Sequence, residues 1–493
     1  MKTKYLTVIF IFACLNSAFS QTIKESINEL MTEYYNNEKF NGAILVEKGN
    51  QVIYKNAFGL ANREWEIENE IDSKFLIGSL SKPFTALMTL LLVDEGLIDL
   101  NGTIGDYLPN YSGIGKDKVT IHQLLTHTSG LPDLGQLNNF GKKRIRWIYN
   151  SDQYIELINE LDSIYQPDQG FKYNNLAFNI LALICEEVSN VEFGDLLYQR
   201  IFTPLEMNNT TLDKNLDIDK KRASGYEWHL LEGYTHPSYI ENCHIKGLGG
   251  VLTTVEDLNL FSKECFEKQK LLSDTLYKQM FTPHVKGWQN YGYGWWITDK
   301  HIKNDSLRII SHGGSIDGYK SYYTRVINDS LSIIILRNTY MRTELGNIDL
   351  YHITNQIIDI FHNVEISSPK KSIACELGYI IGNEGLNAAI EKFTYFKNSD
   401  DYYINKYEFN QLAKELFEKY DLVSESKEIY KLALVEYPNS FLLNYSYGKL
   451  LFNNNDKESI DYLKKCIYLY TNSPDFKNFE SEYQELIKIL NED

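Results

Sequence analysis

Two groups of β-rich runs lie at the two ends of the first 362 residues, and this layout constrains the fold more than any other feature. The first group, NGAILVEKGNQVIYKNAFG, has two runs around a turn at Lys48-Gly49-Asn50 and predicts a hairpin. The second group begins at about Tyr291 and contains YGYGWWIT, LRIISHG, KSYYTRVI and LSIIILRN. We therefore predict an α/β (α+β) fold in which both ends of this region build one antiparallel sheet.

The segments around and between the two groups have helical patterns. Residues 22–40 are amphipathic, a long helix is predicted from Ser79 to Glu95, and LAFNILALICEEV and VEFGDLLYQRIF follow it. A helix from Leu345 to Phe361 closes the domain, which we place at residues 22–362. The inserted helices predict a separate helical lobe, with a site in the cleft between the lobes.

The chain beyond residue 362 has a different composition. The stretch ISSPKKS lies in a predicted linker at residues 363–372, and residues 373–493 are helical and rich in Tyr, Leu, Lys and Glu. SKEIYKLALVEYP aligns with SIDYLKKCIYLYT, near the period of about 34 residues that is typical of tetratricopeptide repeats. We predict an all-α domain that partly resembles such repeats and docks a protein partner, with an ordinary helical hairpin as the alternative.

The first residues, MKTKYLTVIFIFACLNSAFSQ, have two early lysines, a short apolar run and small residues at Ala18 and Ser20. This pattern is typical of a secretory signal peptide at residues 1–20, so we predict export to the periplasm or secretion. The alternative is a lipoprotein signal in which Cys14 is lipidated. No later stretch has the roughly 20 apolar residues that a transmembrane helix needs, so no transmembrane segment is predicted.

Charge and metal-ligand spacing exclude several classes of function. The formal net charge is -17 and the pI is about 5.2, and an acidic chain without a basic run does not bind nucleic acid through electrostatics. His122 and His127 have no glutamate in an H-E-x-x-H arrangement, so neither a metal nor another cofactor is predicted. The cysteines after residue 20 contain no C-x-x-C pair, which argues against a disulfide framework.

The segment FLIGSLSKPFTALMTLLLVDEG contains Ser79 and Lys82 at the predicted start of a helix. A spacing of three residues places both side chains on one helix face. A lysine with a lowered pKa can take or relay the proton of a serine hydroxyl, which is otherwise a weak nucleophile. The same spacing occurs at Ser367 and Lys370, and an ordinary helix cap is the alternative interpretation.

A second motif, Tyr173-Asn174-Asn175, lies where a loop runs into the predicted helix LAFNILALICEEV. A tyrosine with a cationic neighbour can act as a general base, and Lys82 would supply that cation. Asn175 offers both a donor and an acceptor, which suits it to orient Lys82 and to hold a substrate amide. The pattern also occurs at Tyr35-Asn36-Asn37, so order and context decide its meaning.

A third motif, His312-Gly313-Gly314-Ser315, lies on or just after a predicted strand. Paired glycines leave room for a substrate backbone beside the strand. The backbone N–H groups of Ser315 and Ser79 are candidates for an oxyanion hole. A glycine-rich strand end without a role in binding is the alternative interpretation.

The order S-x-x-K, Y-x-N and H-x-G resembles the serine β-lactamase and penicillin-binding-protein family, in particular its class C-like branch. LLTHTSGLP and GLGGVLTTVEDLNLF are also similar to that family, so the resemblance runs from about residue 22 to 362. It implies a two-lobed fold and an acyl-enzyme intermediate. The residues it implies are Ser79, Lys82 and Tyr173 as catalytic residues, and Asn175, His312, Gly314 and Ser315 as substrate-binding residues.

One position departs from the family pattern, because His312 stands where the family usually has a lysine. A histidine with an unperturbed pKa near 6.5 is mostly neutral at pH 7, so it holds a substrate carboxylate weakly unless the pH falls. True β-lactamase activity is therefore in doubt. A cell-wall D-amino-acid peptide, a β-lactam or a small ester stays open as the substrate. The alternative function is a catalytically idle sensor or binding protein on the same fold.

Overall fold

The structure is a computed structural model that describes residues 22–141, 143–162, 166–229, 231–285, 290–341, 348–472 and 479–492. The predicted signal peptide and the alternative lipidation site Cys14 lie outside these residues. Among the described helices, none is both long and apolar enough to cross a membrane.

The strands are numbered in chain order. They are β1 Gly42–Lys48, β2 Gln51–Phe58, β3 Leu60–Asn62, β4 Ile67–Glu68, β5 Phe75–Leu76, β6 Thr211–Leu212, β7 Tyr226–His229, β8 Gly233–Thr235, β9 Val251–Thr253, β10 Trp296–Ile302, β11 Asp305–Ile316, β12 Tyr319–Val326, β13 Leu331–Arg337, β14 Thr339–Met341, β15 Lys371–Ser372 and β16 Tyr402–Tyr403.

The α-helices are numbered in the same way. They are α1 over residues 22–36, α2 Lys82–Asp94, α3 Ile104–Tyr107, α4 Ile121–Leu125, α5 Ser151–Ile158, α6 Asn175–Ser189, α7 Phe193–Leu197, α8 Val255–Lys263, α9 Asp274–Met280, α10 Ile348–Phe361, α11 Ile373–Glu384, α12 Leu386–Lys397, α13 Lys406–Glu418, α14 Val423–Glu436, α15 Phe441–Asn453, α16 Ser459–Asn472 and α17 Glu480–Glu492.

Six strands form one antiparallel sheet in the order β10-β11-β12-β13-β1-β2. The first hairpin of the chain therefore lies beside the last strands of the domain, and β1 pairs with β13 in a register that places Ile44 opposite Ile335. This arrangement confirms the sheet that the sequence predicts from the two ends of the region.

The two faces of this sheet are buried against different helices. On one face, Ile44 belongs to an apolar core that also contains Ile27 of α1 and Ile357 of α10. On the other face, Leu45 and Leu336 belong to a larger core that contains residues of α2, α4 and α6. Burial on both faces explains why β13 has the continuous apolar sequence LSIIILR instead of an alternating pattern.

The described residues divide into two compact units. The first contains the six-stranded sheet and the chain through α10, and it ends at Ser368. The second contains the helices after Pro369 and also the segment Trp228–Thr235, which comes from within the preceding domain. Trp228 and Leu231 pack against the apolar core of the second unit. The sequence predicts the helices but gives no sign that this segment joins them. The likeness to tetratricopeptide repeats stays a prediction.

Candidate active site

Ser79 lies on a tight turn and not within a long helix. Gly78–Ser81 form a single 3₁₀ turn, and α2 begins at Lys82. The α-helix that the sequence predicts from Ser79 therefore begins three residues later, at Lys82. Gly78 has a φ of +52°, which glycine adopts without strain, and Pro83 occupies the first turn of α2, a position that proline favours.

The turn that carries Ser79 packs directly against β11, and two glycines make this approach possible. A Cβ at Gly314 would lie 1.7 Å from the carbonyl oxygen of Ile77, and a Cβ at Gly78 would lie 2.8 Å from the backbone of Ser315. The hydroxyl of Ser321 donates to the same Ile77 oxygen at 2.7 Å. The prediction that Gly314 leaves room for substrate therefore needs correction, because Ile77 occupies the space beside it.

Lys82 is completely buried and reaches the nucleophile. Its Nζ lies 3.0 Å from Ser79 Oγ, 2.9 Å from Asn175 Oδ1 and 3.2 Å from the carbonyl oxygen of Leu248. A neutral amine at this place donates its two protons to Asn175 and Leu248 and accepts from Ser79. Burial lowers the pKa of Lys82 well below its usual value, while the charge of Asp133 opposes this shift. Neutral lysine is a base, so this position suits proton removal from Ser79.

Tyr173 also lies beside the nucleophile, and both side chains line the same cavity. Its ring lies parallel to that of Trp296 at 6.3 Å, and Lys82 Nζ is 4.8 Å from the ring centroid. Burial raises the pKa of Tyr173 in spite of these neighbours. The raised pKa argues against the predicted role of Tyr173 as a phenolate base, because burial disfavours the charged form, and that role stays a prediction. A neutral phenol can still relay a proton.

Asn175 is held in place by the start of α6. Its neighbour Asn174 caps that helix, with a side-chain oxygen that accepts from the N–H of Ala177 at 2.8 Å. The side-chain nitrogen of Asn174 donates to the carbonyl oxygens of Leu131 and Pro132 at 2.8 Å and 3.1 Å. The loop LLTHTSGLP is thereby joined to the loop that carries Tyr-Asn-Asn.

His127, within that loop, is a residue whose role the sequence does not reveal. Its Nδ1 accepts from the N–H of Asn174 at 3.0 Å, and its ring centroid lies 4.2 Å from that of Tyr173 and 4.8 Å from that of Tyr291. Burial and the nearby Lys82 hold the pKa of His127 well below its usual value. It therefore supports the Tyr173 ring as a neutral side chain. The one available signal is its place in a family-like segment.

His312 is buried and hydrogen-bonded at both ring nitrogens. Its Nδ1 lies 2.6 Å from the carbonyl oxygen of Gly313, which can only accept, so Nδ1 carries the proton. Its Nε2 then accepts from the hydroxyl of Tyr291 at 3.1 Å. Burial, with a smaller effect of Lys82, lowers the pKa of His312 to about 3. The expected titration near pH 6.5 therefore does not hold, and His312 is neutral across the physiological range.

Ser315 lies on a part of β11 that extends beyond its edge neighbour. The described pairing of β10 with β11 runs only to Trp296 opposite Ser311, whereas β12 continues to pair with β11 up to Ile316. Ser315 and Ser79 line the same cavity. The structure thus brings Ser315 to the nucleophile.

The site opens into a cavity of about 610 Å³. Its described walls come from the turn of Ser79, from Tyr173, from β10, β11 and β12, and from α10. They consist of Ser79, Tyr173, Trp296, Thr298, Asp299, Lys300, Ile309, Ser311, His312, Gly313, Ser315, Tyr322, Thr324, Tyr351, Thr354, Asn355 and Ile358. Within the described part of the chain, no group of His, Cys, Asp and Glu is arranged to hold a metal ion.

The sequence is similar to known bacterial proteins over about two thirds of its length. It is 30% identical over 342 residues to Penicillin-binding protein 4* of Bacillus subtilis (strain 168), which covers 66% of this chain and 72% of that protein. It is 25% identical over 337 residues to Protein flp of Staphylococcus aureus (strain MW2), which covers 64% of this chain and 63% of that protein.

Solved structures share the fold. A penicillin binding protein from Bacillus halodurans aligns with a TM-score of 0.57 and 24% identity, over 66% of this chain and 98% of that one. An octameric penicillin-binding protein homologue from Pyrococcus abyssi aligns with a TM-score of 0.59 and 24% identity, over 69% of this chain and 78% of that one. The family described as Beta-lactamase matches residues 27–356, a range that contains all three motifs, and this chain therefore belongs to that family.

Proposed function

We propose that this protein is a serine hydrolase that cleaves an ester or an amide through an acyl-enzyme on Ser79. The family is one of serine hydrolases, and one observation carries the proposal for this chain. Lys82 Nζ lies 3.0 Å from Ser79 Oγ, and burial lowers the pKa of that lysine. A base within hydrogen-bond reach is what a serine hydroxyl needs to become a nucleophile.

In the first step, neutral Lys82 takes the proton of Ser79 while Oγ forms a bond to the substrate carbonyl carbon. Asn175 fixes the direction of the amine, since its Oδ1 accepts one of the Lys82 protons at 2.9 Å. The carbonyl oxygen becomes negative, and the N–H groups of Ser79 and Ser315 are the proposed donors to it. The close packing of Gly78 against Ser315 supports this pairing of donors.

In the second step, the bond from the carbonyl carbon to the leaving group breaks, and the leaving atom needs a proton. Tyr173 is placed to donate it, because its neutral phenol lies beside Ser79, and the proton on Lys82, whose Nζ is 4.8 Å from the centre of the Tyr173 ring, then replaces the one given. Water attacks the ester of Ser79 by the same path in reverse. Tyr173 therefore acts as a relay, with Lys82 as the base.

The substrate classes that the sequence leaves open are a cell-wall D-amino-acid peptide, a β-lactam and a small ester. Relatives and structural neighbours named as penicillin-binding proteins support the first two. The neutral His312 supports the third, because it offers no fixed cation to a carboxylate. Export through the N-terminal signal, a boundary at residues 363–372 and a protein partner for the C-terminal helices also remain proposals.

Steady-state and rapid-mixing kinetics with p-nitrophenyl acetate test the proposal. We expect a burst of p-nitrophenol equal to the enzyme concentration, followed by slower turnover, when acylation is faster than deacylation. Ser79→Ala should show neither phase. The matched control is Ser81→Ala, a buried neighbour on the same turn whose hydroxyl accepts from the N–H of Val251. Turnover that persists in Ser79→Ala contradicts the proposal.

A further inference from the structure

The cavity at Ser79 continues as a channel along one face of the sheet. In the register of β10 with β11, Thr298 lies opposite Ile309, and in that of β11 with β12, Ser311 lies opposite Thr324. Residues opposite each other in an antiparallel pair share a face. These side chains all line the cavity, whose far wall is α10 with Tyr351 and its neighbours. This extension has no role in the proton transfers described above.

The position of Tyr173 shows which part of a substrate enters the channel. A residue that protonates the leaving atom must lie within hydrogen-bond reach of it. Tyr173 lines the cavity, and its ring stacks on Trp296, the first residue of β10 and the side chain that begins the channel wall. A leaving group that Tyr173 protonates would therefore extend past Trp296 into the channel.

The described walls of the channel carry no unpaired charge. Their two charged side chains are Lys300, with its Nζ 2.9 Å from Asp359 and 2.9 Å from Asn355 Oδ1, and Asp299, which accepts from Arg308 at 2.7 Å. His312, at the inner end, is neutral at physiological pH. An anionic group that entered this channel would lose water without gaining a free cation, which is costly.

The hydroxyl of Thr324 is a polar group in the channel wall that makes no described hydrogen bond. Thr324 is 1% exposed, and its hydroxyl has no hydrogen-bond partner among the described residues. Buried hydroxyls in proteins are nearly always hydrogen-bonded, so this one points to a ligand. A single neutral hydroxyl suits an uncharged oxygen or nitrogen of the ligand better than a carboxylate, which needs more donors.

We infer that the channel is the leaving-group subsite, and that the substrate is an ester or amide whose leaving group is elongated and uncharged. The inference rests on the proposed function and narrows it. It disfavours peptides that end in D-alanine and β-lactams, because both carry a carboxylate on the side of the bond that leaves. An ester of a neutral alcohol fits the walls.

Acetate esters of aliphatic alcohols test this directly, because they share one acyl group and have leaving alcohols of nearly equal intrinsic reactivity. Hydrolysis of ethyl, butyl and hexyl acetate is followed by proton release, together with 6-acetoxyhexanoate, which ends in a carboxylate where hexyl acetate ends in a methyl group. We expect kcat/KM to rise about fourfold for each CH₂ that becomes buried. We expect it to fall at least about tenfold from hexyl acetate to 6-acetoxyhexanoate.

A pair of variants on β10 locates the effect in the channel. Thr298 is exposed and lines the channel, and Thr298→Trp should narrow it and lower the ratio of kcat/KM for hexyl acetate to that for ethyl acetate by about tenfold, the scale of a few lost CH₂ contacts. His301 is exposed on the same strand but lies outside the channel walls, so His301→Trp should leave the ratio as in the wild type.

The two proposals fail in different ways. If p-nitrophenyl acetate is not hydrolysed, the proposed function is wrong. If it is hydrolysed but the hexyl-to-ethyl ratio is near one, or 6-acetoxyhexanoate is as good a substrate as hexyl acetate, the channel assignment is wrong and the hydrolase stands. An equal drop of the ratio in Thr298→Trp and His301→Trp also overturns the assignment.

Discussion

Replacement of Lys82 by methionine should reveal the lowered pKa of Lys82 as a pH dependence of stability. Methionine has nearly the same length and no charge, so it fits a position that is 0% exposed. Between the lowered pKa of Lys82 and its unfolded value of about 10.4, the unfolded chain binds more protons than the folded one. The stability that wild type has relative to Lys82→Met must therefore rise with pH across this window.

The size of this effect follows from linkage. One proton bound only in the unfolded state changes the free energy of unfolding by about 1.4 kcal/mol for each pH unit. A second effect does not depend on pH. The variant lacks the donors to Asn175 Oδ1 and to the carbonyl oxygen of Leu248, which lowers its free energy of unfolding by about 1–3 kcal/mol for each acceptor left unpaired. The sign of the difference in stability at one pH depends on which effect is larger, whereas its slope with pH depends only on the proton bound by the unfolded chain.

Urea unfolding at pH 7, 8 and 9, followed by tryptophan fluorescence, measures this slope. On the acid side of its lowered pKa, Lys82 loses its proton as the pH rises, so kcat/KM of the wild type should rise there and be level at higher pH. Lys82→Met should have at most about one hundredth of the wild-type activity. Lys246→Met is the matched control. Lys246 forms an ion pair with Glu186, with 2.7 Å between Nζ and Oε1, and it has no contact with the nucleophile Ser79 among the described hydrogen bonds and ion pairs. A stability difference between wild type and Lys82→Met that is constant from pH 7 to 9 would refute the neutral-lysine mechanism.

Three further changes test other parts of the account. Tyr173→Phe should lower turnover about 100-fold through loss of the relayed proton, with a thermal midpoint within a few degrees of wild type. Gly314→Ala should destabilise the protein by about 1–3 kcal/mol, because the added Cβ meets the carbonyl oxygen of Ile77. Gly135→Ala is the control, since its added Cβ lies in open space, and thermal unfolding of both variants measures the difference. Truncation after Ser368 should preserve labelling by a fluorophosphonate but expose Trp228 and Leu231, so light scattering should show aggregation. Replacement of both residues by serine in the truncated protein should reduce that aggregation.

Much of the fold could be predicted because the pattern of hydrophobic residues is strong at both ends of the domain. The hairpin around Lys48-Gly49-Asn50 and the apolar run LSIIILR must bury their faces, and one sheet satisfies both. The α-helix begins one turn later than the sequence predicts, because a 3₁₀ turn and an α-helix have nearly the same sequence pattern; here Gly78 and Pro83 mark the difference.

The motifs identified the residues around the nucleophile but not their protonation. Spacing places Ser79 and Lys82 together, yet the pKa values of Tyr173 and His312 depend on burial that only the packed structure defines. The support from His127 comes from a loop that is distant in sequence from Tyr173, so no local pattern could reveal it. The same holds for the segment Trp228–Thr235, which joins the second unit through tertiary contacts.

The most direct test of the central claim is covalent labelling with a fluorophosphonate, followed by intact-mass measurement and peptide mapping. The account predicts one adduct for each chain, located on Ser79, and no adduct in Ser79→Ala. It also predicts that labelling slows in Lys82→Met, because Lys82 no longer takes the proton from Oγ. An adduct on another residue, with Ser79→Ala labelled as fast as the wild type, would contradict the claim that Ser79 is the nucleophile.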